Sequence, residues 1–76
     1  MIDVTKMPLC IGEFKRSSLT STSYKMAGRY IGCTIKPQEN LLIFGTWSPV
    51  GAVIKRVSVD NEDSAIKAIA NFKYPS

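Results

Sequence analysis

Between Ala52 and Phe72 the apolar residues change their period from two to 3.6, and this switch constrains the fold more than any other feature. The run Ala52-Val53-Ile54-Lys55-Arg56-Val57-Ser58-Val59 is rich in β-branched residues and reads as a strand. Asp60-Asn61-Glu62-Asp63 follows as an acidic helix start, with Asp60 as N-cap and Asp63 three residues on to complete a capping box. Ala65, Ile66, Ile69, Ala70 and Phe72 then recur at the spacing of one helix face, while Lys67, Asn71 and Lys73 point away. Pro75 forbids continuation. The pattern predicts a helix over 60–73 lying apolar side down on a sheet. Burying Ile66, Ile69 and Phe72 is worth roughly 1.5–3 kcal/mol each. Their sum is comparable with the ~5–15 kcal/mol that holds a small domain together.

Upstream, 9–59 reads as the sheet. Leu9 to Phe14 is a first strand with a bend or bulge at Gly12. Ser17 to Ser23 is a hydroxyl-rich loop of extended character with Leu19 as its anchor. Tyr24 to Ile35 is the longest strand candidate, and neither of its two parities is purely apolar, so a bulge near Gly28 or Gly32 is expected. Pro37-Gln38-Glu39-Asn40 is a turn, Leu41 to Trp47 a strand, and Ser48-Pro49-Val50-Gly51 a type I turn. Met1 to Pro8 is an irregular entry, since Pro8 opposes a helix through it. The expectation is therefore α+β: an antiparallel meander of three to four strands, with one C-terminal helix packed on one face.

Seventy-six residues suit one domain over 1–76. At that size about 60% of the unfolded surface is buried, so the core is thin. No apolar run approaches the ~20 residues of a membrane helix. Met1 to Gly12 has no charged start or apolar stretch of the secretory kind, which points to the cytoplasm. Two widely spaced cysteines, Cys10 and Cys33, read first as small buried hydrophobes, with a single bridge between them as the alternative.

The sequence holds no histidine, so the commonest general base at neutral pH is missing. Two thiolates fall short of a structural zinc site, and no phosphate loop or Gly-x-Ser-x-Gly elbow occurs. No catalytic residue, metal or cofactor is expected. The net charge of +4 is unevenly spread: Lys15, Arg16, Lys25, Arg29 and Lys36 lie in a stretch without a single acid.

Two binding surfaces follow. The first is the turn around Trp47, Pro49 and Val50, or a sheet edge, recognising another protein in the manner of the small inhibitors and adaptors that phages and mobile elements encode. The second is a basic sheet face of Lys15, Arg16, Tyr24, Lys25, Arg29, Lys55 and Arg56, contacting the phosphates and bases of DNA or RNA. An uncovered edge strand also allows a homodimer. A three-stranded antiparallel sheet followed by a packed helix resembles, in topology alone, the sheet-reading DNA-binding domains of some phage integrases. It also resembles the C-terminal part of double-stranded RNA-binding domains, although the acidic start of this helix departs from the basic one those domains use.

Overall fold

A computed structural model describes residues 1–46 and 51–73. The fold is α+β, with one antiparallel meander and one C-terminal helix. Among the described residues the sheet has six strands in the order of the chain: β1 (Cys10–Ile11), β2 (Phe14–Lys15), β3 (Ser23–Met26), β4 (Ile31–Lys36), β5 (Leu41–Thr46) and β6 (Val53–Ser58). The helix α1 spans Glu62–Ala70.

Six strands replace the expected three to four because two predicted strands are hairpins. The segment 9–14 turns on Gly12-Glu13, so that Ile11 pairs with Phe14. The segment 24–35 turns between Met26 and Ile31, where the Arg29 N–H donates to the Met26 carbonyl at 3.3 Å. Gly28 sits in that turn at φ 75°, a conformation that glycine adopts without a Cβ clash. The mixed parity of this segment now has its cause. Tyr24 and Met26 point to the core from β3, whereas Ile31, Cys33 and Ile35 do so from β4. A turn reset the alternation where a bulge was expected.

The sheet is strongly curled. Strands β2 and β5 are separated by β3 and β4, which on a flat sheet would hold them about 14 Å apart, or three strand spacings. Yet the rings of Phe14 on β2 and Phe44 on β5 meet edge to face with centroids 6.0 Å apart. Phe72, just past α1, completes the cluster by stacking on Phe44 at 4.2 Å and meeting Phe14 at 5.9 Å. The concave side is the core, and α1 lies in it with Ala65 and Ile69 buried and Ile66 and Phe72 partly so. At its far side the helix packs against β1.

The helix begins one residue later than its sequence suggests. Asn61, not Asp60, is the N-cap: its side chain accepts from the Ser64 N–H at 2.9 Å, and Ser64 Oγ accepts from the Asn61 N–H at 3.1 Å. Ser64 thereby takes the place assigned to Asp63 in the capping box. It also accepts from the Asp60 N–H at 2.9 Å, which holds Asp60 outside the helix. Glu62 is used elsewhere, accepting from the Asp3 N–H at 2.9 Å.

That contact belongs to the second departure from expectation. The entry 1–8 is part of the core, with Ile2 and Met7 each 1% exposed. A short 3-10 turn over Val4–Lys6 lets both side chains reach inward, and Ile2 is fixed by its N–H bond to the Pro37 carbonyl at 3.0 Å.

Ile69 is 1% exposed at the centre of the helix contact. Ile69→Asp places a carboxylate there without a partner, and a loss of about 4 kcal/mol or more is expected. The thermal melt followed by circular dichroism should lose its cooperative transition; a transition near that of the parent chain would show that the helix is not docked.

Candidate functional site

The sheet has two unlike edges. On one side β1 is two residues long and carries the helix against it. On the other, β6 is six residues long, is the last strand of the sheet, and has no fully buried residue. Val53 is 50% exposed, and Lys55, Arg56 and Ser58 are exposed as well. An edge of this kind presents a row of backbone donors and acceptors to whatever strand approaches it.

Register sorts the basic residues between faces. Arg56 pairs with Ile43 and projects to the convex outer face, while Lys55 pairs with the core residue Phe44 and projects to the helix side. The adjacent cations of β6 therefore do not share a surface. Beyond Lys55 β6 bulges at Ile54, where the pairing shifts between Phe44 and Gly45. A Cβ on Gly45 would lie 2.5 Å from the Ala52 carbonyl oxygen, so the hairpin closes this tightly only with glycine there. Below Lys55 a depression of about 310 Å3 opens between β6 and the end of α1, floored by Phe44, Val57 and Phe72 and flanked by Lys73.

On the outer face Lys15 and Lys25 stand directly opposite each other on β2 and β3, and Lys25 in turn faces Gly32. Arg56 lies on the same face, three strands from Lys25. Arg29 is in the β3–β4 turn beside Tyr30, which is 65% exposed. Of the acids, Asp3 and Glu62 meet at the start of the helix, next to Asp60 and Asp63. Bonds from the hydroxyl and N–H of Thr5 hold the Asp3 carboxyl below its ordinary value. Negative charge thus gathers at the end of the molecule where α1 begins.

Two residues leave the basic face altogether. Tyr24 is 0% exposed and Arg16 only 7%. The Arg16 guanidinium is a clamp inside the protein. Its Nη1 donates to the carbonyls of Leu19 (3.0 Å) and Ser21 (2.9 Å), and its Nη2 to those of Val4 (2.8 Å) and Met7. It also lies over the Tyr24 ring, 5.1 Å from the centroid. The Tyr24 hydroxyl donates to the Pro8 carbonyl, and burial pushes its pKa up against the opposing pull of Arg16. All four guanidinium bonds go to backbone oxygens, so neither side chain is available to a phosphate or a base. Leu19, the expected anchor of the 17–23 loop, is 48% exposed; Arg16 does the anchoring. Trp47, Pro49 and Val50 lie outside the described residues.

Cys10 and Cys33 are both free thiols, Cys10 exposed and Cys33 buried. No three His, Cys, Asp or Glu side chains converge among the described residues, and no described helix is long and apolar enough to cross a membrane. No family model matches the chain, and comparison with curated proteins and with solved structures finds no similar one.

Arg16→Lys keeps the charge but loses the planar fork and at least one carbonyl partner. A loss of about 2–4 kcal/mol is expected, since each bond to a charged group is worth about 1.5–3 kcal/mol. In a chain of this size that lowers the melting temperature by roughly 10–25 °C. A melting temperature within ~2 °C of the parent would show that the clamp is not structural.

The thiols should separate as cleanly. Burial pushes Cys33 up to about 12 from an ordinary 9.0. A thiol reagent near pH 8 is therefore expected to label Cys10 alone in the folded chain and both cysteines after unfolding. Because the folded pKa lies above the unfolded one, Cys33 contributes its full share of stability below pH 9.0 and loses it as pH rises toward about 12. Rapid labelling of both cysteines in the native state would contradict this arrangement.

Proposed function

We propose that this chain is a non-catalytic protein-binding module that takes its partner by strand addition at β6. The observation that carries the reading is the asymmetry of the sheet. One edge is two residues long and packed against the helix, while the other is a six-residue strand with no fully buried residue. A partner in extended conformation gains main-chain hydrogen bonds along such an edge, and its alternate side chains then read the surface on either side. A small protein acting as an inhibitor or adaptor needs no more than this. The free thiols accord with a cytoplasmic setting, where disulfides are rare.

A second reading has one specific observation in its favour. Lys15 and Lys25 are directly opposed across β2 and β3, and like charges at that spacing destabilise a sheet. A nucleic-acid backbone on the outer face would be contacted by Lys15, Lys25 and Arg56. The face is narrower than the sequence implied, with Arg16 and Tyr24 buried and Lys55 turned to the helix side.

Two measurements separate the readings. A protein captured on the immobilised chain and then added back should slow amide exchange over 53–58; slowing confined to other strands refutes strand addition. In the second experiment, anisotropy of a labelled single-stranded oligonucleotide should stay flat at about 50 mM salt with tens of micromolar protein. Binding whose logarithm falls with log salt by roughly 0.7 per phosphate would instead establish the nucleic-acid reading.

A further inference from the structure

The proposed strand addition leaves open what kind of strand β6 prefers, and the charges along the edge bear on this. We propose that the segment bound at β6 is an extended acidic one from another protein, carrying two consecutive carboxylates that meet Lys55 and Arg56. The inference rests on the strand-addition reading.

Residues adjacent in a strand project to opposite faces. Lys55 and Arg56, at the middle of β6, therefore send one cation to the helix side and one to the outer face. A segment paired along the free edge does the same with its own adjacent residues, so two consecutive acids reach one cation each. On the helix side Lys73 flanks the same depression as Lys55, and Val57 and Phe72 supply an apolar floor. A carboxylate arriving there meets two ammonium groups, and an apolar side chain two residues along meets the floor. The acids of this chain that lie closest in sequence, Asp60, Glu62 and Asp63, belong to the helix start, where Glu62 accepts from the Asp3 N–H.

The same pair disfavours a second copy of this chain. Full-length antiparallel pairing of β6 with itself sets Val53 against Ser58, Ile54 against Val57, and Lys55 against Arg56, so cations face cations on both surfaces. Shifting by one residue in either direction sets Lys55 against Lys55 or Arg56 against Arg56. The homodimer allowed by the sequence is the arrangement that this edge resists.

The test uses the full chain, isotope-labelled, with three capped eight-residue peptides of alternating Thr and Val that carry Glu-Glu, Lys-Lys or Thr-Thr at the centre, and a thymidine oligonucleotide. At up to about 1 mM peptide, the Glu-Glu peptide should shift the amides of 53–58. It should bind at least about tenfold more tightly than the Thr-Thr peptide, and the double variant Lys55→Glu/Arg56→Glu should reverse the order in favour of Lys-Lys. Equal shifts from Glu-Glu and Thr-Thr overturn the acidic preference and leave strand addition standing. If no peptide perturbs 53–58, both fall. Shifts of the same amides by the oligonucleotide, with none from Glu-Glu, assign the charge to nucleic acid and overturn the proposal. A concentration-dependent dimer in sedimentation that protects 53–58 assigns the edge to a second copy, with the same consequence.

Discussion

The Arg16 guanidinium holds the entry segment and the 17–23 loop to one point inside the molecule. Burying a charge costs several kcal/mol unless its donors are satisfied, and here the entry segment and the 17–23 loop together offer four carbonyl oxygens to it. Those carbonyls lie outside the strands, and the Val4 oxygen also accepts from the Met7 N–H at 3.2 Å, so the clamp satisfies a desolvated cation with irregular backbone oxygens. The Tyr24 ring closes the remaining side, and its hydroxyl reaches back to Pro8 of the same entry segment. The Nε atom lies buried without a partner, a local cost that the four outer bonds outweigh. With the entry segment tied down, Ile2 and Met7 extend a core that 76 residues could not otherwise make thick.

Curling of the sheet follows from the same scarcity. A flat meander of this length would leave α1 covering only part of one face, with the outer strands bare on both sides. Rolling the sheet until Phe14 and Phe44 touch gives three aromatic rings a common contact, and the stacked Phe72 fixes the end of the helix within it. The helix then reaches β1, which explains why so short a strand persists at that edge. The helix covers the concave face and the short β1 edge, and β6 is left as the long open edge.

Much of this was legible in the residues. The strand-to-helix switch at 52–72 identified α1 and its buried face, and the α+β class with its meander followed from turn residues. The strand count was not legible, because Gly12-Glu13 and the turn around Gly28 lie inside apolar runs that look continuous. The failed parity of 24–35 was the available signal, and a bulge or a turn produces the same failure. The N-cap shifted from Asp60 to Asn61 because Ser64, a weak member of any capping pattern, bonds both preceding amides. The burial of Arg16 was invisible for a different reason. In sequence it is one more cation in a basic run, and the approach of Val4 and Met7, twelve and nine residues away, helps to turn it inward. Lys55 and Arg56 looked like one basic patch, although strand alternation alone assigns them to opposite faces.

That alternation bears on how a small protein keeps a usable edge without aggregating. A bare apolar edge strand pairs with any other, including its own copy. A central pair of cations, one on each face, changes the selection: the full-length self-pairing meets repulsion on both surfaces and a one-residue shift meets it on one, whereas an acidic strand meets attraction on both. The charges act through register, because a slip by one residue moves each side chain to the opposite face and breaks both contacts together. Placing the cations mid-strand rather than at an end maximises the number of self-registers they penalise. Val53, 50% exposed, then remains free to supply apolar contact without making the edge indiscriminate. Protection from self-association and choice of partner are thus two consequences of one placement, and neither requires any residue beyond the strand itself.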